Sequence, residues 1–137
     1  MQSYLFKNIQ VVNEGKIIRS DVMTHGERIE KIDGQINVAR RITEINGENL
    51  HLFPGVIDDQ VHFREPGLTH KADIFSESRA AVAGGVTSFM EMPNTIPNAL
   101  TLDLLEDKYN IAANRSLANY SFYMGVSNNN TDEVLRA

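Results

Sequence analysis

The chain has no cysteine and no long hydrophobic run, and these absences exclude several classes of protein. Without cysteine there are no disulfides and no thiolate metal sites. Cysteine usage therefore does not indicate whether the protein works in an oxidising or a reducing compartment. No apolar stretch approaches the roughly 18 residues that a membrane-spanning helix needs. The first residues also lack the basic-then-apolar order of a signal peptide. We therefore expect a cytoplasmic protein that does not enter the membrane.

Runs of basic residues are missing as well. The formal net charge is -5 at pH 7, which gives no reason to expect nucleic acid or an anionic membrane surface as a partner. The composition is otherwise that of a globular protein, with 42% hydrophobic and 23% charged residues. This is enough apolar material for a packed core, so the pattern argues against disorder along the whole chain.

Residues 3–52 predict a series of short β-strands. Turn signals at Asn13-Glu14-Gly15-Lys16 and His25-Gly26-Glu27 separate the first apolar segments. Asn46-Gly47 is the strongest short hairpin signal, and it predicts a hairpin between the strands on either side of it. The close spacing of strands and turns indicates a small sandwich or sheet. Nothing in this part of the chain is typical of a catalytic site.

After Pro54 the pattern changes to strand, loop and helix. The predicted strands cover residues 56–63, 86–92 and 120–126, and the predicted helix N-caps are Asp73, Thr101 and Thr131. On the second helix the predicted apolar side consists of Leu102, Leu105, Tyr109 and Ala112. Repeated strand-helix units imply an α/β fold with a parallel sheet. In such folds the chemistry lies at the carboxyl ends of the strands.

Four polar residues occupy alternate positions at the end of the first of these strands. They are Asp58, Gln60, His62 and Arg64. Side chains two residues apart share one face of a strand, so this spacing predicts that the four project together where the strand ends. Polar groups in register on one face are difficult to place in a core. We therefore predict a functional site here.

Residues 54–67 have the sequence Pro54-Gly55-Val56-Ile57-Asp58-Asp59-Gln60-Val61-His62-Phe63-Arg64-Glu65-Pro66-Gly67. They resemble dihydroorotase, a cyclic amidohydrolase of the amidohydrolase superfamily. Ala83-Gly84-Gly85-Val86-Thr87 and Met92-Pro93-Asn94-Thr95 extend the resemblance. Its most specific elements are Arg64-Glu65-Pro66-Gly67 and Met92-Pro93-Asn94-Thr95, which favour dihydroorotase over the related hydantoinases and allantoinases. The strand-rich start, with Asp21-Val22 and Arg28-Ile29, resembles the opening half of that family's side sandwich.

The fold implied by the resemblance is the N-terminal portion of a (β/α)8 TIM barrel with a small β-sandwich side domain. Residues 1–53 would form the N-terminal half of the sandwich, and residues 54–137 the first strand-helix units of the barrel. A complete barrel needs about 250 residues. We therefore expect this chain to be part of a larger protein.

The implied activity is a metal-dependent hydrolysis of a cyclic amide, in which a metal-activated water is the nucleophile. The reaction interconverts dihydroorotate and N-carbamoyl-aspartate in pyrimidine biosynthesis. The family binds one or two zinc ions, partly through an Asp-x-His-x-His pattern. His62 matches the second histidine of that pattern, Gln60 stands where the first would be, and Asp58 is expected to support the ligands rather than to bind metal.

Two further positions match residues of the family that bind substrate. Arg64 corresponds to the arginine that grips the substrate carboxylate, and Asn94 corresponds to the asparagine that assists it. The family's general base and remaining metal ligands correspond to positions beyond Ala137. The resemblance therefore assigns no catalytic residue to this chain, and we expect the chain alone to be inactive.

Gln60 is a departure that leaves a second hypothesis open. An amide oxygen is a neutral, weak ligand for zinc, which prefers imidazole, thiolate or carboxylate. Dihydroorotase-like proteins without a full ligand set act as non-catalytic assembly partners of aspartate transcarbamoylase. A hydantoinase or an allantoinase is a further alternative. The expected partners are therefore a small-molecule substrate and either a second copy of the protein or aspartate transcarbamoylase.

Overall fold

The computed structural model describes residues 2–137 and has an α/β fold. The chain divides into two compact units, Met1–Pro54 and Gly55–Ala137. Among the residues described, no helix is both long and apolar enough to cross a membrane.

The first unit is a five-stranded sheet. Its strands are β1 (Ser3–Asn13), β2 (Lys16–His25), β3 (Arg28–Asp33), β4 (Thr43–Asn46) and β5 (His51–Leu52). Strands β1, β2 and β3 are antiparallel neighbours, while β4 and β5 both pair with β1 in parallel. The two predicted turns before β2 and β3 are confirmed, and the all-β character of this unit follows from its short strands and tight turns.

The hairpin predicted at Asn46-Gly47 is wrong. Strands β4 and β5 lie one after the other along the same edge of β1, so the chain shifts sideways at this dipeptide without reversing. Gly47 N donates to Lys7 O at 2.7 Å. A Cβ atom on Gly47 would lie 2.5 Å from Ile9 Cβ, so the glycine permits a close approach to β1. Hydrogen bonds to β1 have replaced those that the two short strands would have made to each other.

Asp21 is the buried polar centre of the first unit. Its carboxylate forms an ion pair with Lys7 and accepts hydrogen bonds from the backbone N–H groups of Asn8 and Ile36, both at 2.8 Å. Burial by itself would raise the pKa of Asp21. The lysine and the two backbone donors outweigh that effect and hold the pKa below its ordinary value. The carboxylate thereby joins β1, β2 and the segment after β3.

The second unit alternates strands and helices, as predicted. Its elements are β6 (Val56–Val61), α1 (Ile74–Ala83), β7 (Val86–Glu91), α2 (Leu102–Arg115), β8 (Asn119–Phe122) and α3 (Thr131–Val134). The strands form a parallel sheet in the order β6-β7-β8. Its core consists of Phe63, Ile74, Phe89, Ala112, Ala118 and Phe122, with Leu105 and Tyr109 of α2 packed against it. The predicted apolar side of α2 therefore faces the core at these positions.

Two of the three predicted helix caps are confirmed. Asp73 accepts from Ser76 N at 2.8 Å, and Thr101 Oγ1 accepts from Leu104 N at 3.3 Å. Each side chain satisfies one of the free N–H groups in the first turn of its helix. Local sequence was sufficient here because a capping hydrogen bond joins residues that are close together in the chain.

The cap predicted at Thr131 is wrong, because Thr131 is the first helical residue and Asn130 precedes the helix. Asn130 makes no side-chain capping bond, since its amide is used elsewhere. Its Oδ1 accepts from Ser127 N at 2.7 Å, and its Nδ2 donates to Leu100 O at 2.9 Å and to Gly125 O at 2.7 Å. A buried asparagine that links two loops has taken the place of a simple cap.

Candidate functional site

The carboxyl ends of β6, β7 and β8 lie at one edge of the sheet, because the three strands are parallel. Asp59 and Gln60 near the end of β6, Met92 after β7 and Tyr123 after β8 line one open depression of 270 Å³. Ligand sites of α/β folds lie at this edge of the sheet. Gln60 is thus at the candidate site, and two residues that the sequence reasoning did not single out, Met92 and Tyr123, accompany it.

The predicted single face from Asp58 to Arg64 is wrong. Asp58 pairs with Phe89 and Val61 pairs with Glu91, so β6 carries one extra residue between these pairs, which is a β-bulge. Strand β6 ends at Val61, and Arg64 has a left-handed backbone with φ of 71°. A bulge and a left-handed residue each break the two-residue repeat on which the prediction depended.

His62 and Asn94 come together although 32 residues separate them in the chain. His62 Nδ1 lies 2.9 Å from Asn94 Oδ1. A carbonyl oxygen can only accept, so this contact places a proton on Nδ1, and in the neutral form of the ring the lone pair is then on Nε2. This contact joins the two segments in which the sequence placed candidate residues. It also leaves Nε2 as the nitrogen of His62 that can bind a ligand.

Arg64 is held through its backbone. Its N–H donates to Glu91 Oε1 at 3.0 Å. A left-handed conformation costs a residue with a side chain about 1–2 kcal/mol, and a hydrogen bond to a carboxylate offsets a cost of this size. None of the ion pairs found among residues 2–137 involves the Arg64 guanidinium. The backbone is therefore fixed, while the charged group has no carboxylate partner within the described chain.

Glu65, the neighbour of Arg64 in the same motif, has a structural role. Its side chain is buried, its Oε2 accepts from Ile74 N at 3.0 Å, and Arg115 Nε lies 3.3 Å from the same oxygen. Arg115 also pairs with the capping residue Asp73 at 3.2 Å. Glu65 thus holds the start of α1 against the end of α2, so of the two charged side chains in this motif it is Arg64 that has no ion-pair partner among residues 2–137.

A buried ion pair lies beneath the two candidate segments. The side chains of Glu91 and Lys108 are each 1% exposed, and Lys108 Nζ lies 3.0 Å from Glu91 Oε2. Lys108 Nζ donates to Met92 O, also at 3.0 Å. Burial raises the pKa of the Glu91 carboxyl and lowers that of the Lys108 ammonium, and the opposite charge of the partner counteracts each shift.

The sequence reasoning missed this pair, although the pattern contained a signal. Glu91 lies two residues after the core residue Phe89, on the same side of β7. Lys108 lies three residues after Leu105 and four before Ala112, within the apolar side of α2. Charged residues at inward positions of both a strand and the helix that follows it indicate a buried pair.

The described residues do not fit a complete zinc site. Zinc takes three or four protein ligands. No group of three His, Cys, Asp or Glu side chains in residues 2–137 could hold a metal ion. His62 offers one imidazole, Gln60 offers a neutral amide, and Asp58 Oδ1 accepts a hydrogen bond from Gln60 N at 3.1 Å. This donor set can contribute to a metal site but cannot form one without further ligands.

Known proteins resemble this chain in sequence. No family model matches it. A dihydroorotase of Pediococcus pentosaceus is 43% identical over 94 residues, which cover 68% of this chain and 22% of that protein. An allantoinase of Deinococcus radiodurans is 36% identical over 118 residues, which cover 85% of this chain and 26% of that protein. The chain thus spans about a quarter of the length of these curated relatives.

The fold is also similar to that of a solved structure. The L-hydantoinase (dihydropyrimidinase) from Arthrobacter aurescens matches with a TM-score of 0.92 and 26% identity, over 99% of this chain and 30% of that one. Sequence relatives and the structural neighbour are hydrolases of cyclic amides from one superfamily. The chain therefore belongs to the cyclic amidohydrolases of the amidohydrolase superfamily and corresponds to part of their length.

Proposed function

We propose that the protein is a dihydroorotase-type hydrolase that interconverts dihydroorotate and N-carbamoyl-aspartate in pyrimidine biosynthesis. The observation that carries this proposal is the contact between His62 and Asn94, beside Arg64, at the carboxyl ends of parallel strands. In the proposal, Gly55–Ala137 forms the first strand-helix units of a TIM barrel and Met1–Pro54 forms part of a β-sandwich side domain. The similarity to curated dihydroorotases supports this assignment.

Each site residue has a proposed role that suits its chemistry. The Arg64 guanidinium binds the substrate carboxylate, because its fork matches a carboxylate and it has no ion-pair partner among residues 2–137. Asn94 assists through its amide and orients His62, whose Nε2 is the proposed zinc ligand. In the proposal, Gln60 is a weak further ligand and Asp58 supports the site from the same strand. A bound zinc would polarise the amide carbonyl and activate water.

Substrate choice tests the proposal. Dihydroorotate carries a carboxylate, whereas allantoin and hydantoin do not. In the protein as its gene encodes it, we expect turnover of dihydroorotate in preference to the other two. Arg64→Ala should raise KM for dihydroorotate by roughly tenfold to a hundredfold, since a charged hydrogen-bonding partner is lost. Arg64→Lys should recover only part of this, because lysine lacks the fork.

The matched control is Arg40→Ala, which removes an exposed arginine of the first unit that is paired with Glu30. We expect this change to leave KM unaltered. Turnover of allantoin or hydantoin without dihydroorotate would contradict the proposal and would assign the protein to another class of cyclic amidohydrolase. The similarity to an allantoinase makes this outcome a definite alternative.

A second candidate function is that of a non-catalytic assembly partner of aspartate transcarbamoylase. Gln60, which stands in place of a histidine, favours it. This candidate predicts a protein without bound zinc that hydrolyses no cyclic amide and co-elutes with aspartate transcarbamoylase. In that case Gln60→His should increase zinc binding, measured by metal analysis after dialysis, whereas Gln60→Asn should not.

A further inference from the structure

The buried pair formed by Glu91 and Lys108 makes one contact with each of the two segments that carry the candidate substrate-binding residues. Glu91 Oε1 accepts from the backbone of Arg64, and Lys108 Nζ donates to the backbone of Met92, two residues before Asn94. Both contacts are 3.0 Å long. The pair is therefore placed to set the distance between the Arg64 segment and the Asn94 segment.

Stability alone does not account for such a pair. Removing two charges from water costs several kcal/mol for each ion, and a buried ion pair is often no more stabilising than well-packed apolar side chains of similar volume. Glu91 Oε2, the oxygen nearest Lys108, also accepts no hydrogen bond of good geometry. What an apolar pair could not supply is an acceptor for Arg64 N and a donor for Met92 O.

The two segments also contact each other directly. Ile96 N donates to Pro66 O at 3.2 Å, and Met92 N donates to Val61 O at 3.0 Å. Together with the contact between His62 and Asn94, these bonds join the segments along their length. The ion pair adds the contact at the left-handed residue Arg64, where the backbone is held against its own preference.

We propose that Glu91 and Lys108 are positioning residues that fix the Arg64 segment and the Asn94 segment relative to each other. This inference rests on the proposed function, because it assigns those segments to substrate binding. Neither residue touches the substrate in this proposal. Glu91 acts through the backbone of Arg64, and Lys108 acts through the backbone of the loop that begins at Met92.

The test uses two double variants of the protein as its gene encodes it. Both replace the ion pair by a neutral pair, so that neither leaves a buried charge without a partner. Glu91→Gln with Lys108→Met keeps an oxygen that can accept from Arg64 N. Glu91→Met with Lys108→Met removes that acceptor as well. The two variants differ in the acceptor for Arg64 N and in the buried NH2 group that the glutamine carries, and their side chains at residue 91 have similar length.

Amide hydrogen exchange is the first measurement, because it does not depend on activity. We expect exchange at Thr95 and Ile96 to become roughly tenfold faster in both variants, since both lose the donor to Met92 O. Exchange at Arg64 should become faster only in the variant with methionine at residue 91. Amides of β2 in the first unit serve as the internal reference, and unchanged exchange at all three residues would overturn the proposal.

The second measurement separates positioning from stability. We expect the variant that keeps the acceptor to be close to the original protein in thermal stability, and the variant without it to be less stable, because Arg64 N then lacks its partner. We expect kcat/KM nevertheless to fall roughly tenfold to a hundredfold, mainly through KM and most in the variant without the acceptor. If a variant that is as stable as the original protein also has the same KM, the pair has a merely structural role. If the unsubstituted protein hydrolyses no cyclic amide, the proposed function fails, and the exchange data alone decide whether the pair positions the segments.

Discussion

Buried polar side chains carry much of the specificity of this molecule at the scale of single residues. Asp21, Asn130 and the pair of Glu91 and Lys108 each bind backbone groups of segments that are distant in sequence. Unpaired polar groups in a core are costly, so each such residue favours one arrangement of its neighbours over others. The candidate site is arranged by residues of this kind, as the contact between Glu91 and Arg64 shows.

Asp21→Asn should make the first unit less stable at neutral pH and less sensitive to acid. The pKa of Asp21 is lowered in the folded chain from an ordinary value of 3.8, so its stabilising effect is present above that value and is lost as pH falls through the folded pKa. We expect a loss of about 1–3 kcal/mol at pH 7. The difference from the original chain should shrink as pH falls below 3.8, so it should be smaller at pH 3 than at pH 7. Urea unfolding at both pH values measures it.

Asp33→Asn is the control for this prediction. Asp33 is paired with Lys31, but both side chains are about half exposed, and such pairs contribute little to stability. We expect a much smaller effect than that of Asp21→Asn at pH 7. A loss at Asp21 that is the same at pH 7 and pH 3 would show that the charge of Asp21 is not the cause.

At the scale of elements, local signals predicted the helices better than the strand pairing. The caps Asp73 and Thr101 act on their own helices, and both helices begin where predicted. Strand partners are chosen by tertiary contacts, so the strongest local turn signal, Asn46-Gly47, did not produce a hairpin. Both short strands pair with β1 in parallel, so neither pairs with the other.

Gly47→Ala should destabilise the first unit. The added Cβ would lie 2.5 Å from Ile9 Cβ and 2.8 Å from Lys7 O, so β4 would have to move away from β1. We expect a loss of about 1–3 kcal/mol in the free energy of unfolding, as for other overpacked sites. Gly34→Ala is the control, because nothing lies within 4 Å of a Cβ at that position. Equal stability of the two variants would contradict the close approach.

At the scale of the whole molecule, the chain has two compact units and one candidate site. All the candidate residues belong to Gly55–Ala137, at the carboxyl ends of its parallel strands. The relatives are several times longer, with 22% and 26% of their length covered by this chain. The described residues can therefore supply substrate-binding groups and one imidazole, while a working hydrolase of the proposed kind needs more ligands.

The 137-residue chain by itself should hydrolyse no dihydroorotate, with or without added zinc. Its described residues bring no three metal-binding side chains together, so a bound ion would lack most of its ligands. The measurement is dihydroorotate turnover by the purified chain beside the protein as its gene encodes it. Circular dichroism should first show that the chain is folded. Zinc-dependent turnover by the folded chain would contradict the prediction.

The sequence by itself determined the α/β class, the strand-helix order after Pro54, two helix caps and the family. These depend on local chemistry, on periodicity and on motifs that can be recognised without coordinates. It also placed His62, Arg64 and Asn94 at strand ends. The roles proposed for these residues stay predictions.

Only the tertiary structure decided how those residues meet. The bulge between Asp58 and Val61, the left-handed backbone of Arg64 and the contact of His62 with Asn94 depend on partners that are about 30 residues away in the chain. The same is true of Lys108, which the helical pattern alone would place beside apolar neighbours. Its burial is possible because Glu91 on β7 supplies the opposite charge, and the two residues become neighbours only when α2 packs against the sheet.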